Sequence, residues 1–211
     1  MSLSNPPPLF ITFEGADGSG KTTQSRILAD RINALWTREP GGTSLGTSIR
    51  ELCLGPDHNP CALAELLLMA ADRAQHIAEV IRPALLNATS VVCDRFTHST
   101  IAYQGAGRML DTSLIQSVCD IAASSLVPDA VVVINVDPAT AESRYTTRSN
   151  PDRLEQTSSD FKERVRLSFL AQASGDQSML VVDGSGDVNE VATRVWDALT
   201  TFLGERLPSA G

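Results

Sequence analysis

Residues 9–23, LFITFEGADGSGKTT, carry the densest chemistry in the chain. Gly15, Ala16, Asp17, Gly18, Ser19, Gly20, Lys21 and Thr22 fill the spacing G-x-x-x-x-G-K-[ST]. Chemistry that needs this pattern is the holding of phosphates. Glycines let the backbone curl so that several N–H groups point at phosphate oxygens, and a helix starting there adds partial positive charge. Lys21 suits the β- and γ-phosphates, and the Thr22 hydroxyl suits the Mg2+ ion that travels with them. The alternative is a plain Gly-rich turn. A β-rich run before the pattern and a helix-like run after it favour a P-loop holding a nucleoside triphosphate, ATP being the usual one.

A P-loop alone serves motors, switches, helicases and kinases. Arginine placement narrows the choice. Arg38 follows the second predicted strand, Arg95 follows the third, and Arg73 sits on a helix between them. Guanidinium forks match phosphate oxygens two at a time, so three converging arginines suit a second anionic ligand. Each also has a bland alternative: Arg38 pairing only with Glu39 or another neighbour, or Arg73 as a solvated helix charge.

The elements that must position these groups follow from hydrophobic spacing. Strands are expected at 9–13, 34–37, 90–93, 131–136 and 179–182, with 131–136 the most apolar and central. Helices are expected at 21–33, 48–54, 61–87, 97–103, 111–124, from Pro138 onward, at 160–173 and at 188–203. On the longest, Leu63, Leu66, Leu67, Ala70, Ala74, Ile77 and Ile81 recur at helical spacing as a core-facing stripe, with Met69, Arg73 and His76 on another. Strands alternating with helices imply an α/β fold, a doubly wound five-stranded parallel sheet flanked by helices. Ligands in such sheets gather beyond the carboxyl ends of the strands, where the P-loop, Arg38, Asp94, Arg95 and Asp137 all fall.

Bulk properties set limits. The 211 residues suit one P-loop domain over 9–207 behind a loose leader at 1–8, and 42% hydrophobic content supports a real core. A net charge of −8 argues against coating nucleic acid. No apolar run reaches the roughly 18 residues of a membrane span, and no secretion signal is seen. The four cysteines and three histidines show no metal-type spacing. Reduced thiols in the cytoplasm are expected.

The chain resembles the thymidylate (dTMP) kinase family over most of its length. The carriers are the segment around Phe13, Glu14 and Gly15 through Gln24, the run TREPGGT at 37–43, DRF at 94–96, Ser99 and Thr100 with AYQG at 102–105, and DRLE at 152–155. The resemblance implies ATP and dTMP as substrates, Mg2+ with the ATP, and a homodimer. It implies that Arg38 and Arg95 hold the dTMP phosphate beside Glu39 and Pro40, and that Arg73 reads the thymine edge. Met69, Ser99, Thr100 and Gln104 would line the base pocket, Tyr103 would close on the sugar, and Asp17 would approach its 3′-hydroxyl. Lys21 and Arg95 would be catalytic. Thr22, Asp94 and Glu155 would serve the metal. The acceptor is itself a phosphate oxygen, so no general base is required. This P-loop has no basic residue among Asp17, Gly18 and Ser19, so transferring charge is expected from a lid around 144–157, through Arg148 and Arg153, with Arg144 third.

Three features depart from the family pattern. Met69 stands where a stacking Phe is usual, so base recognition is expected to be softer, which admits other nucleoside monophosphates as alternatives. The chain between Lys21 and Arg38 is shorter than usual, and the lid has fewer arginines. A different class stays open beside these: a nucleotide-holding module that transfers nothing.

Overall fold

The computed structural model describes residues 7–145, 153–154 and 156–208. Arg148 and Glu155, both expected in the lid, lie outside the described residues, as does most of the expected leader. Along the described chain the order is β1 (Phe10–Glu14), α1 (Lys21–Arg31), β2 (Leu35–Arg38), α2 (Ser44–Leu54), α3 (Ala62–His76) and, after a π-helical turn at Ile77–Ile81, α4 (Arg82–Leu86). There follow β3 (Val91–Asp94), α5 (Thr97–Thr100) with a second π-helical turn at Ile101–Gly107, α6 (Thr112–Ala123), β4 (Ala130–Asn135), α7 (Pro138–Tyr145), α8 (Ser159–Gly175), β5 (Met179–Asp183) and α9 (Val188–Leu203).

The five strands form one parallel sheet in the order β2-β3-β1-β4-β5. β1 is thus the middle strand, and the strongly apolar β4 is an interior strand paired with β1 and β5, as its composition implied. Side chains alternate across a strand. Ile11, Phe13, Val92, Val132 and Ile134 pack with Leu28 of α1 and Val191, Val195 and Leu199 of α9. On the other face, Phe10, Val91 and Cys93 meet Ile77, Ile81 and Phe96, while Val131 and Val133 meet Phe161, Val165 and Phe169 of α8. Burial on both faces explains why β1 and β3 read as continuous apolar runs.

Three expectations need correction. The stripe on the longest helix does not wholly face a core: Leu66, Ile77 and Ile81 are buried, but Leu63 and Leu67 are 48% and 52% exposed and Ala74 is exposed. Its buried face carries Glu65, Asp72, Arg73 and His76 instead. That stretch covers a polar cleft, and buried charge is tolerated because each group finds a partner. The second helix begins at Ser44, four residues early, because the Thr43 side chain caps it by accepting from Gly46 N. The helix expected over 97–103 is α-helical only to Thr100 and runs on to Gly107 as a π-helical turn. Arg108 N donates to Tyr103 O at 2.9 Å, and Arg164 of α8 donates to the carbonyls of Ala106 and Gly107. Among the described residues, no helix is long and apolar enough to cross a membrane.

Candidate functional site

Beyond the carboxyl ends of β1, β2 and β3 lies a cleft of about 290 Å³. Of the residues singled out from the sequence, Asp17, Gly18, Gly20, Lys21, Thr22, Arg38, Glu39, Pro40, Met69, Arg73, Asp94, Arg95, Ser99, Thr100, Tyr103 and Gln104 line it. Gly15, Ala16 and Ser19 complete the loop behind this wall. Asp137 does not join them: it is exposed and caps α7 through Thr140.

One end of the cleft is main chain. Gly15 lies at φ +137°, and a Cβ there would overlap the carbonyl of Ile134 on β4. Gly20, at φ +94°, turns the chain into the first residue of α1. Neither position suits an L side chain. Lys21 is buried, with Nζ 3.3 Å from Ala16 O and 3.5 Å from Asp17 Oδ1. Burial and the nearby Arg95 lower its pKa, against Asp17 and Asp94, which raise it. Thr22 Oγ1 donates to Asp94 Oδ2 at 2.5 Å, while Asp94 Oδ1 is buried with no partner among the described residues. A hydroxyl and an orphaned carboxylate oxygen side by side form a hard oxygen donor set that fits Mg2+.

The wall next to the P-loop is guanidinium. Arg95 sits in the left-handed region at φ +76°, a conformation costing a non-glycine residue about 1–3 kcal/mol. Its Nη2 donates to Asp17 Oδ1 at 2.5 Å and to Tyr103 Oη at 2.9 Å, and its Nη1 donates to Ser99 Oγ at 2.9 Å and Gly15 O at 3.2 Å. Tyr103 Oη in turn donates to Asp17 Oδ2 at 2.7 Å. Burial would raise the Asp17 carboxyl, but Arg95, Lys21 and the Tyr103 hydrogen bond hold it well below the usual range. Arg38, half-buried at the tip of β2, has no hydrogen-bond or ion-pair partner among the described residues. The pairing with Glu39 that could have absorbed it does not occur.

Glu39 is engaged by Arg73 instead. Arg73 Nε donates to Glu39 Oε2 at 2.8 Å, Nη1 to Thr100 Oγ1 at 3.0 Å and Nη2 to Phe96 O at 2.9 Å. It is 3% exposed, so it is not a solvated helix charge. His76 Nδ1 lies 2.9 Å from Glu39 Oε1, and its Nε2 lies 2.6 Å from Thr37 Oγ1. The ligand atoms of Glu39, His76 and Cys93 fall within 4.8 Å of one another, a spacing compatible with a metal ion. All three are already committed, since Cys93 Sγ donates to Arg95 O at 3.1 Å.

Several functional positions escaped sequence reasoning. Glu14, wholly buried at the end of β1, accepts from Phe96 N at 2.7 Å and Ser99 Oγ at 2.6 Å, so it holds the residues that hold Arg95. Burial pushes its pKa up to about 7, with Ser99 and Arg95 pulling the other way. Glu65 is a second buried hub, tied to Gln104, Arg108 and Arg153. Arg50 and Asp72 also line the cleft. The spacings 65-69-73 and 72-76 on one helix were the available signal for a polar face.

The lid arginines divide. Arg153 is not brought to the cleft: it ion-pairs with Glu65 and donates to Cys53 O at 3.0 Å, because a buried carboxylate draws the nearest cation. Arg144 lies against the P-loop, donating to Ser19 O at 3.3 Å and Gly184 O at 3.0 Å.

Comparison with known proteins points to one family. A family model described as thymidylate kinase matches residues 13–195. The thymidylate kinase of Leifsonia xyli subsp. xyli is 45% identical over 198 residues, covering 91% of this chain and 94% of that one. That of Deinococcus radiodurans is 43% identical, covering 91% and 96%. The crystal structure of thymidylate kinase from Ehrlichia chaffeensis superposes with a TM-score of 0.76 at 36% identity, covering 92% of this chain and 100% of that one.

Proposed function

The chain belongs to the thymidylate kinase family, and from that premise we propose that it transfers the γ-phosphoryl group of ATP to the phosphate of dTMP, giving dTDP and ADP. The observation that carries the reading is one cleft lined both by a P-loop and by Arg95 and Arg38, the latter without a hydrogen-bond or ion-pair partner among the described residues.

The protein's task is alignment and charge stabilisation, since one phosphate attacks another in line. Lys21 and the N–H groups of residues 15–22 hold the donor phosphates. Arg38 and Arg95 hold the acceptor phosphate, and Arg95 spans the gap to the transferring group. Asp17 and Tyr103 keep Arg95 in place and meet the sugar. Met69, Arg73, Thr100 and Gln104 enclose the base, next to Glu39, Pro40 and Ser99. Mg2+ would be held by Thr22 and Asp94, together with Glu155 of the lid, and when bound it screens the repulsion between the two phosphate groups. Residues 144–157 serve as the lid, in which Arg144, Arg148 and Arg153 are the candidate cations. An arginine of this kind acts once closure brings it to the phosphates.

We also assign a homodimer. Leu63 and Leu67 on α3 and Ile121 on α6, the last 80% exposed, suit an apolar contact between copies. The four free cysteines, three of them buried, suit a reducing cytoplasm.

The test is a coupled ADP-release assay offering dTMP, dUMP, UMP, CMP, AMP and GMP side by side. Preferred turnover of dTMP is expected. Equal or greater turnover of another monophosphate would reassign the substrate, and ATP binding with no turnover of any would leave only a nucleotide-holding module.

A further inference from the structure

Glu65 lies outside the cleft lining and is wholly buried, yet it grips a residue that faces the cleft. Its Oε1 accepts from Gln104 Nε2 at 2.8 Å and from Arg108 Nε at 3.3 Å. Its Oε2 accepts from Arg108 Nη2 at 3.0 Å and from Arg153. We propose that Glu65 is the positioning residue for base specificity, because it dictates which end of the Gln104 amide the nucleotide base meets. The proposal rests on the kinase reading above and deepens it.

A glutamine amide has a donor end and an acceptor end of nearly equal shape, and its surroundings decide which way it turns. An ionised carboxylate only accepts hydrogen bonds. Burial favours the neutral form of Glu65, but hydrogen bonds from Arg108, Gln104 and Arg153 outweigh it and keep the group anionic. The Gln104 nitrogen must therefore face Glu65. Its Oε1, with no partner among the described residues, is left for the cleft that Gln104 lines. One helical turn away, Thr100 Oγ1 already accepts from Arg73 Nη1 at 3.0 Å, so that hydroxyl has its own proton to give. Arg73 can only donate. The wall thus offers an acceptor at Gln104 and donors at Thr100 and Arg73.

Thymine presents the complement, an N3–H donor beside a carbonyl acceptor at position 4. Cytosine reverses both, with an N3 acceptor beside an amino donor. Glu65, Met69 and Arg73 fall four residues apart on α3, so one helix face carries the group that orients the amide, the group that packs on the base and the group that donates to it. Specificity at this pocket then comes from hydrogen-bond polarity, which survives the loss of a stacking ring at Met69.

The experiment measures kcat and KM for dTMP and for 5-methyl-dCMP, which differ only at N3 and the 4-substituent. The proteins are wild type, Glu65→Gln, Gln104→Ala and the double variant. Glu65→Gln frees the Gln104 amide to turn, and is expected to lower the ratio of kcat/KM for dTMP over 5-methyl-dCMP by about tenfold or more, through KM. Gln104→Ala is expected to lower that ratio comparably, and Glu65→Gln to add nothing to it in the double variant. A common loss on both substrates in Glu65→Gln would mean a purely structural role and overturn the proposal. So would a further drop in the double variant. If Glu65→Gln does not fold, Gln104→Ala decides alone, and an unchanged ratio overturns the proposal. Wild type that shows no turnover of dTMP breaks the parent reading instead, whereas wild type that prefers dTMP with variants of unchanged ratio breaks only this one.

Discussion

At the P-loop end of the cleft the groups that face an anion belong mostly to the main chain, held by glycines whose conformations no other residue suits. At the β2–β3 end they belong to side chains. Arg73 leans on the buried Glu39 and Arg95 on the partly buried Asp17, while Arg38 has no partner among the described residues. The first construction needs eight consecutive residues. The second needs partners drawn from β1, β2, α3 and the segment after β3, so its geometry is a property of the folded whole. One consequence is an asymmetry under substitution: the main-chain end keeps its form when a side chain across the cleft is removed, while the guanidinium end depends on each member.

The largest effect expected from that asymmetry is at Arg95. Replacing it with Ala removes the group proposed to span the two phosphates and is expected to cut turnover roughly 10²–10³-fold, the usual loss for one preorganised donor. ATP affinity, measured by calorimetry, is expected to stay near that of wild type because the P-loop keeps its main-chain donors, although Gly15 O and Asp17 lose their contacts with Arg95. A matching loss of ATP affinity would show that the two ends are not separable.

This difference in construction also explains what could be read from the chain. The P-loop is local, so spacing alone revealed Gly15 to Thr22, and the strand–helix alternation revealed the parallel sheet. Arg38, Arg73 and Arg95 were visible as arginines near strand ends, but not the fact that one is unpartnered and two are fastened. That distinction depends on Glu39 and Asp17, which meet Arg73 and Arg95 only after folding, and on Glu14, which reaches Arg95 through Ser99. The apolar stripe on α3 misled for the same reason. Periodicity reports which residues share a helix face, not whether the face meets an apolar sheet, a polar cleft or the outside. Arg153 was read as a lid cation, and nothing local could show that Glu65, 88 residues away, would hold it.

A sharper comparison sets Arg73 against Arg38. Arg73→Ala leaves the buried Glu39 carboxylate with His76 in place of its arginine and is expected to destabilise the protein by about 3–5 kcal/mol, read by urea denaturation. Arg38→Ala is expected to leave the denaturation midpoint where it is, because its guanidinium holds nothing among the described residues. Its cost falls on the ligand. Losing a charge-assisted contact to phosphate raises the KM for dTMP by roughly 10–100-fold, with the KM for ATP unaffected. Equal destabilisation by the two would erase the distinction between a fastened and a free arginine.

The smallest effect concerns the carboxylate under the guanidinium end, and it is read against pH. Burial raises Glu14 from its ordinary 4.5 to about 7, so between those values the folded protein holds a proton that the unfolded chain has released. Stability therefore falls with pH across that window. The contribution of this group is full below about pH 4.5 and is lost as pH rises through about 7. Asp17, three residues on, has the opposite sign: its pKa is held low, so its contribution is present above the ordinary aspartate value and lost in acid. Glu14→Gln removes the first of these slopes and leaves the second. Denaturation midpoints of the variant are expected to be flatter than those of wild type between pH 5 and pH 8. The amide oxygen can still accept from Phe96 N, so the loop carrying Arg95 keeps one of its two anchors. A variant with the wild-type slope would mean that Glu14 stays ionised in its buried site, and the neutral state would then have no part in holding the acceptor end together.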